Sequence, residues 1–299
     1  MPEFYKRPLP ASCVDFASAP GRAIFAEALS AGTMEGFFTL ISQFTTQNEP
    51  AYCGLATLSM ALNALQVDPG RVWKGVWRWY DESLLDCCKG LQQVQQEGIT
   101  LDEFVCLVRC NGCDPRPERA VVKVAGHTPG TCGTCGTVES FRAAVSAAAT
   151  SSDTVLCVSY CRSVLGQTGT GHFSPIGGYH ADRDLVLILD VARFKYPPHY
   201  VPLTLLFEAM CRTDKSTGKT RGWIRVAAGT GPPLLGACGP LCASADDVAT
   251  ADHTLCRITC GQAPNFVCAT HSQPQYVWLR SVGWLGALAV GARLALMSR

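Results

Sequence analysis

The sequence has almost no excess of charge of either sign. The 25 Lys and Arg residues balance 24 Asp and Glu residues, which leaves a net charge of +1. A protein that binds nucleic acid or an anionic membrane through its overall field needs a positive excess, so neither partner is expected. The sequence also lacks an internal repeat at the usual period of about 20 to 50 residues.

Long apolar segments are missing as well. The best membrane candidate is the uncharged run at residues 281–292, bracketed by Arg280 and Arg293. It is too short to span a bilayer, which takes about 20 apolar residues. Residues 1–13 contain no apolar core of a secretory signal, so a cytoplasmic location is predicted.

Cysteine, by contrast, is abundant, with 17 among 299 residues. In the cytoplasm these thiols are expected to be mostly reduced, and their odd number argues weakly against a closed disulfide framework. Many reduced thiols suggest contact with soft metals or thiol chemistry. A single free cysteine is also a common small buried hydrophobe, so most of these positions need no special function.

The first half of the sequence predicts helices. One should begin near Glu49 and Pro50, because proline and acidic residues suit the first turn, and leucines recur on one face between residues 55 and 65. Aromatic residues between positions 73 and 80 predict a second amphipathic helix. Residues 92–110 predict a third, which Gly98 interrupts.

The second half predicts strands. Residues 111–137, rich in Gly, Pro and Thr and containing Cys132 and Cys135, suggest a loop or insertion. Beyond them, residues 154–160, 172–180 and 185–191 are strand candidates, the last two joined by a turn. Helices followed by strands indicate an α+β fold. The composition changes again near residue 227, where a boundary is predicted.

Cys53 is the first candidate catalytic residue. It lies just inside the predicted helix start, where free N–H groups and the helix dipole should lower the pKa of the thiol. Gly54 should leave room for a substrate, and the side-chain amide of Gln47 could donate to an oxyanion. A buried helical cysteine beside an incidental glutamine explains these residues equally well on local sequence alone.

His172 and Asp190 favour the catalytic interpretation. In an ideal hairpin Asp190 lies opposite Pro175, about three residues from His172. One β-bulge at Gly177 and Gly178 would bring its carboxylate against the imidazole. An acidic residue that ends a buried strand needs a partner, and the imidazole supplies it.

Long strings in the sequence resemble phytochelatin synthase. They are TQNEPAYCGLATLS, DPGRVWKGVWRWYDESLLDCC, QTGTGHFSPIGGY and LILDVARFKYPPH. The resemblance runs over residues 4–225 and weakens between 111 and 154. It implies a papain-like cysteine-protease fold, with a helical N-terminal half and an antiparallel sheet in the C-terminal half. The catalytic domain is then residues 1–226, and residues 227–299 form a short Cys-containing tail.

The resemblance also assigns residues. The family triad carries over as Cys53, His172 and Asp190, and the oxyanion-hole glutamine as Gln47. Arg193 is a candidate for binding a substrate carboxylate, with a salt bridge within the fold as the alternative. The family's other recurrent catalytic-domain cysteines match four candidate metal ligands, which are Cys87, Cys88, Cys106 and Cys110.

The implied reaction is acyl transfer from glutathione. Cys53 would release glycine and hold a γ-glutamylcysteinyl thioester, which the α-amine of a second glutathione or of a growing phytochelatin chain attacks. No tightly bound cofactor is expected. Cadmium, zinc or copper would act as activators or enter as glutathione thiolates. A homodimer is left open.

Two other functions remain open from the sequence. With water as acceptor, the same thioester would make the protein a hydrolase of glutathione or its conjugates. The short tail favours this to a degree, because it matches the family's metal-responsive C-terminal domain poorly. The third hypothesis is a non-catalytic, thiol-rich metal-binding protein, which would have no need for Gln47, His172 and Asp190.

Overall fold

The structure is a computed structural model that describes residues 6–121 and 135–229. Within this part of the chain, eight strands form one sheet in the order β1-β7-β6-β5-β4-β8-β2-β3. Neighbouring strands are antiparallel except for β2 and β3, which are parallel. The strands are β1 Val14–Asp15, β2 Cys113–Ala120, β3 Cys135–Gly136, β4 Thr154–Cys161, β5 Gly171–His180, β6 Leu185–Ile188, β7 His199–Pro202 and β8 Gly222–Ala228.

In residues 6–121 and 135–229, seven α-helices cover the two faces of this sheet. They are α1 Ala19–Ser30, α2 Glu35–Ile41, α3 Cys53–Ala64, α4 Leu91–Glu97, α5 Leu101–Cys110, α6 Val138–Ala149 and α7 Leu203–Met210. Short 3-10 turns occur at Glu82–Leu84 and Arg162–Leu165. The core on one face packs against α1 to α5, and the core on the other packs against α6 and α7.

Strand β4 shows why both faces of the sheet are apolar. Successive side chains of a strand point to opposite faces. Accordingly, Val155 and Cys157 pack against the α3 side, whereas Leu156 and Val158 pack against the α6 side. All four side chains are almost fully buried. A strand whose central residues are apolar on both faces belongs in the interior of a sheet covered by helices on both sides.

Several predicted elements are confirmed. The helical segment at 92–110 forms α4 and α5 with Gly98 at φ 72° between them. The strands predicted at 154–160 and 172–180 are β4 and β5, and the strand predicted at 185–191 is β6, which ends at Ile188 and lies between β5 and β7. The mixed α and β content is confirmed, with five of the helices preceding the main strands.

Two predictions are wrong. Residues 73–80 form no helix, because Gly75 has φ 59° and Trp73 and Trp77 close a tight turn through their backbones. Residues 113–120 form strand β2 although they were predicted as a loop. Its Pro115 and Pro117 are tolerated because β3 pairs with β2 only at Arg119 and Ala120.

The described residues contain no helix that is both long and apolar enough to cross a membrane. The candidate run at 281–292, Cys132 and nearly all of the predicted tail lie outside the described residues. At the predicted boundary, strand β8 continues to Ala228, with Ala227 paired to Asp114 and Thr154.

Candidate active site

Cys53 is the first residue of helix α3. Tyr52 occupies the N-cap position, and its side chain makes no capping hydrogen bond to the first-turn N–H groups. Ten of the twelve residues of α3 are buried, which fixes the helix firmly in the core. Cys53 itself is partly exposed. The chain therefore presents Cys53 at the positive end of a rigid helix.

Gly54 has a different role from the one predicted. A Cβ at this position would lie 2.4 Å from Cδ1 of Ile99 and 3.5 Å from the ring of Phe173. The space beside the nucleophile is thus filled by the link between α4 and α5. Glycine allows that close packing and leaves no room for substrate on this side of Cys53.

The predicted pair of His172 and Asp190 is present. The β-bulge occurs between Ile176 and Gly178, as the sequence suggested, and it shifts the register of β5 against β6 by one residue. Ile188 consequently pairs with Ile176, and continuing this register puts Asp190 on the same face as His172. His172 Nε2 lies 2.9 Å from Asp190 Oδ1. Since Nε2 is engaged by the carboxylate, Nδ1 is the nitrogen left for Cys53.

Arg162 is a buried partner of Asp190 that the sequence analysis missed. Its Nη2 lies 2.9 Å from Oδ1 and 2.8 Å from Oδ2 of the carboxylate. Ala192 also donates its backbone N–H to Oδ1, at 2.9 Å. Arg162 and Asp190 are only 3% and 0% exposed, so this ion pair is shielded from solvent screening.

The hydrogen bonds continue behind Arg162. Its Nη1 donates to Oε1 of Gln167, and Nε2 of Gln167 lies 2.9 Å from Nε2 of His199. His199 Nδ1 lies 2.8 Å from the carbonyl of Pro197, so Nδ1 carries the proton and Nε2 accepts from Gln167. One feature of the sequence could have indicated Arg162. A buried aspartate beside a neutral imidazole still needs a positive charge nearby, and Arg162 directly follows strand β4.

The resting protonation states follow from these surroundings. Burial raises the pKa of the Cys53 thiol, against smaller opposing effects from the Phe173 and Gly54 N–H groups and Arg162. The Gly54 N–H at the helix start lowers the pKa as predicted, but burial has the larger effect, so the net shift of the Cys53 pKa is upward. Burial, together with Arg162, lowers the pKa of His172 to about 4. Although burial alone would raise it, His172 and Arg162 hold the pKa of Asp190 below its ordinary value. At neutral pH, Cys53 is therefore a neutral thiol, His172 is a neutral imidazole and Asp190 is an ionised carboxylate.

Gln47 is buried beside this site, but its amide donors are occupied. Nε2 donates to the carbonyls of Glu49 and Pro50, at 2.8 Å each. Its backbone N–H donates to Val191, next to Asp190, at 3.0 Å. An amide has two N–H donors, so donation to an oxyanion requires one of these bonds to open. That role for Gln47 stays a prediction.

Comparison of the sequence with known proteins shows the family to which the chain belongs. Residues 4–223 match the family model described as phytochelatin synthase. The chain belongs to the phytochelatin synthase family. It is 56% identical over 232 residues to glutathione gamma-glutamylcysteinyltransferase 1 of Triticum aestivum, 77% of this chain and 44% of that protein. The protein of the same name from Arabidopsis thaliana is 54% identical over 76% of this chain and 44% of its own length.

A fungal relative gives the same result. Glutathione gamma-glutamylcysteinyltransferase of Schizosaccharomyces pombe is 48% identical over 221 residues, which are 74% of this chain and 50% of that protein. The chain therefore spans about half the length of the curated relatives that it matches. The matched residues 4–223 include Cys53, His172 and Asp190.

Arg193 and the four candidate metal ligands, which were also predicted from the family resemblance, lie in different surroundings. The Arg193 guanidinium lies over the ring of Phe44, 4.8 Å from the centroid, and the residue is exposed. Binding of a substrate carboxylate by Arg193 stays a prediction. The four candidate metal ligands lie together and are paired as disulfides, Cys87 with Cys110 and Cys88 with Cys106. The fold brings these four sulfurs close together, and the expectation that the thiols are mostly reduced stays a prediction.

The pH dependence of the thiol should reflect its burial. We expect alkylation of Cys53 by iodoacetamide to accelerate only above the ordinary thiol pKa of about 8.5. Turnover should fall at acid pH as His172 becomes protonated near a pKa of about 4. The measurement is labelling of this one peptide by mass spectrometry across pH. A labelling rate already maximal near pH 6 would instead show a preformed thiolate–imidazolium pair.

Substitution of Gln47 tests its two possible roles. If one of its N–H groups moves to the oxyanion, Gln47→Ala should lower kcat by about 10²- to 10³-fold with little change in KM. If the side chain only braces the turn at Glu49 and Pro50, Tm should fall and kcat should change by less than about tenfold. Steady-state kinetics and thermal unfolding of the same preparation separate these results.

Proposed function

We propose that this chain transfers the γ-glutamylcysteinyl group of glutathione to an amine acceptor and thereby makes phytochelatins. The observation that carries the proposal is the buried His172–Asp190 pair beside a reachable Cys53 at a helix start. The names of the relatives from Triticum aestivum and Schizosaccharomyces pombe supply the substrate. The family also supports a papain-like fold.

The first half-reaction forms the thioester. His172 takes the proton of Cys53 as sulfur attacks the carbonyl carbon of the Cys–Gly amide. Donors near the first turn of α3 stabilise the oxyanion, and Gln47 joins them when it is released from Glu49 or Pro50. Protonated His172 then gives its proton to the departing glycine nitrogen, and the C–N bond breaks. Asp190 and Arg162 hold the imidazole in one orientation throughout.

The second half-reaction transfers the acyl group. The α-amine of a second glutathione or of a phytochelatin chain attacks the thioester, loses a proton to His172, and displaces the thiolate of Cys53. The peptide grows by one γ-Glu-Cys unit. Heavy-metal glutathione thiolates, such as those of cadmium, zinc or copper, enter as substrate, and no tightly bound cofactor is invoked. The reducing cytoplasm stays the predicted location.

One assay tests the proposal against the two other functions. Purified chain is incubated with glutathione, with and without cadmium, and glycine release and peptide length are followed. Glycine together with longer peptides supports transfer. Glycine with free γ-glutamylcysteine alone would show water as the acceptor and contradict the transferase. If no glycine is released, both enzymatic functions fail and a metal-binding protein is left.

A further inference from the structure

Glu82 is a buried carboxylate that the proposed chemistry does not use. It begins the 3-10 turn at Glu82–Leu84 and is 4% exposed. Arg71 reaches this turn, but its guanidinium donates to the carbonyl of Leu84 and to Asp86. In the part of the chain that the structure describes, Glu82 itself forms no ion pair. A buried carboxylate without a cation is costly to ionise, which makes it a candidate functional group.

The backbone N–H of Asn48 is the group that Glu82 holds. Its nitrogen lies 3.1 Å from Oε1 and 3.2 Å from Oε2 of the carboxylate. Asn48 belongs to residues 47–52, the entry turn, which leads directly into helix α3. The preceding N–H, that of Gln47, donates to the carbonyl of Val191 at 3.0 Å. Two consecutive N–H groups therefore tie the entry turn to two other segments of the chain.

The protonation state of Glu82 changes near neutral pH. Burial raises its pKa to about 7, the Asn48 N–H opposes this, and the negative charges of Asp81 and Glu49 add to the increase. Tyr52 also faces the carboxylate, and burial together with Glu49 and Glu82 raises the pKa of its hydroxyl. Tyr52 therefore stays neutral at the pH where Glu82 titrates.

A cavity beside Glu82 gives it access to protons. The cavity has a volume of about 260 Å³, and Glu82 is part of its lining. Helix α3 contributes Ser59 and Asn63 to the lining, and neither side chain titrates. Thr45 and Asn48 also line the cavity and are exposed. A polar cavity of this size holds water, so Glu82 can exchange protons with solvent although its side chain is buried.

We propose that Glu82 is a positioning residue for the transfer reaction, and that its ionised carboxylate holds the entry turn in the catalytic position. The inference rests on the proposed function, because the entry turn carries Gln47 and leads into Cys53. An ionised carboxylate offers two acceptor oxygens to the Asn48 N–H, and a charge-assisted hydrogen bond is stronger than a neutral one. When Glu82 takes a proton from solvent, one oxygen becomes a hydroxyl donor and the hold on the entry turn weakens.

The free energy of unfolding separates this positioning role from a purely structural one. Folding raises the pKa of Glu82 from the ordinary value of 4.5 to about 7, so the folded chain binds more protons between these pH values. The contribution of Glu82 to the free energy of unfolding therefore falls as pH rises through this range. Activity should rise over the same range. A residue that only kept the chain folded would make activity and stability fall together.

The first test compares the pH dependence of glycine release from S-methylglutathione, which has no thiol to titrate. In wild type, kcat should rise about tenfold between about pH 6 and pH 8, with little change in KM. Glu82→Gln keeps the size and one acceptor oxygen but cannot ionise. Its kcat should stay at the low level of acidic wild type, while chemical unfolding should show it gaining stability relative to wild type as pH rises. The same step in kcat in both proteins would overturn the proposal.

A second pair of variants tests whether the step belongs to Glu82. Asp81→Asn removes a charge that raises the pKa of Glu82 but keeps the oxygen that accepts from the Ser83 N–H. The midpoint of the step should move to lower pH, and kcat at about pH 8 should equal that of wild type. Asp68→Asn is the matched control, because it removes the charge of an exposed carboxylate paired with Arg78. Its midpoint should equal that of wild type, and equal midpoints in all three proteins would contradict the assignment.

Hydrogen exchange at Asn48 tests the hold on the entry turn without any substrate. After correction for the intrinsic rate at each pH, this amide should exchange on the order of tenfold more slowly at about pH 8 than at about pH 6 in wild type. Glu82→Gln should show no such difference. If wild type releases no glycine, the proposed function fails, while the Asn48 amide still shows whether Glu82 holds the entry turn. If glycine is released and only the exchange depends on Glu82, the positioning role fails alone.

Discussion

Cys53→Ser is expected to lower glycine release from glutathione by at least about 10⁴-fold. A serine hydroxyl is far harder to deprotonate than a thiol, and His172, whose pKa is lowered to about 4, is a weak base for that task. The buried faces of α3 are unchanged by the substitution. Steady-state glycine release and intact mass of the protein, which detects the thioester, measure the loss.

A matched control makes this result specific to one thiol. Cys211→Ser removes another partly exposed, unpaired cysteine, which follows α7. Burial raises the pKa of Cys211 to about 11, so it is a poor nucleophile at neutral pH. Its loss should leave glycine release within about twofold of wild type. If Cys53→Ser kept its activity while Cys211→Ser lost it, the assignment of the nucleophile would be wrong.

Asp190→Asn is expected to lower kcat by about 10⁴-fold, because an amide no longer fixes the tautomer and charge of the imidazole. The same substitution leaves the Arg162 guanidinium buried without its counter-charge. Breaking a buried ion pair from one side costs about 3 to 5 kcal/mol of unfolding free energy. Asp190→Asn should therefore lose both activity and stability, measured by kinetics and by chemical unfolding.

A double variant with Arg162 also replaced separates the loss of activity from the loss of stability. In Arg162→Met/Asp190→Asn neither partner is left charged and buried, so much of the lost unfolding free energy should return. The activity should stay as low as in Asp190→Asn, because His172 still lacks its carboxylate. Recovery of glycine release in the double variant would show that Asp190 acts only by neutralising Arg162.

Local patterns in the sequence predicted much of the site. Gly177 and Gly178 predicted the β-bulge, and that single register shift puts Asp190 on the same face as His172. The break at Gly98 and the apolar strand β6 were equally readable, because backbone conformation and apolar runs depend on nearby residues. The assignment of Cys53 as a nucleophile depended on His172 and Asp190, since a cysteine near a helix start is ambiguous by itself.

Other features depend on contacts between distant segments. Arg162 and Gln167 lie in the connection between β4 and β5 and His199 begins β7, and no spacing in the sequence indicates that they form one buried chain of hydrogen bonds. The pKa of Cys53 illustrates the same limit. The helix start favours a thiolate, but the protein packed around the thiol outweighs it.

The sequence by itself determined the family and predicted the pairing of His172 with Asp190, because long motifs and local turn signals carry that information. The tertiary structure decided what surrounds those residues. In the folded chain the Arg162 guanidinium lies beside Asp190, and backbone carbonyls engage both amide N–H groups of Gln47. Ile99 packs over Gly54. The tertiary structure also gathered four cysteines from two segments into one cluster. Burial and charge at a site are sums over all neighbouring segments, and only the folded chain brings those segments together.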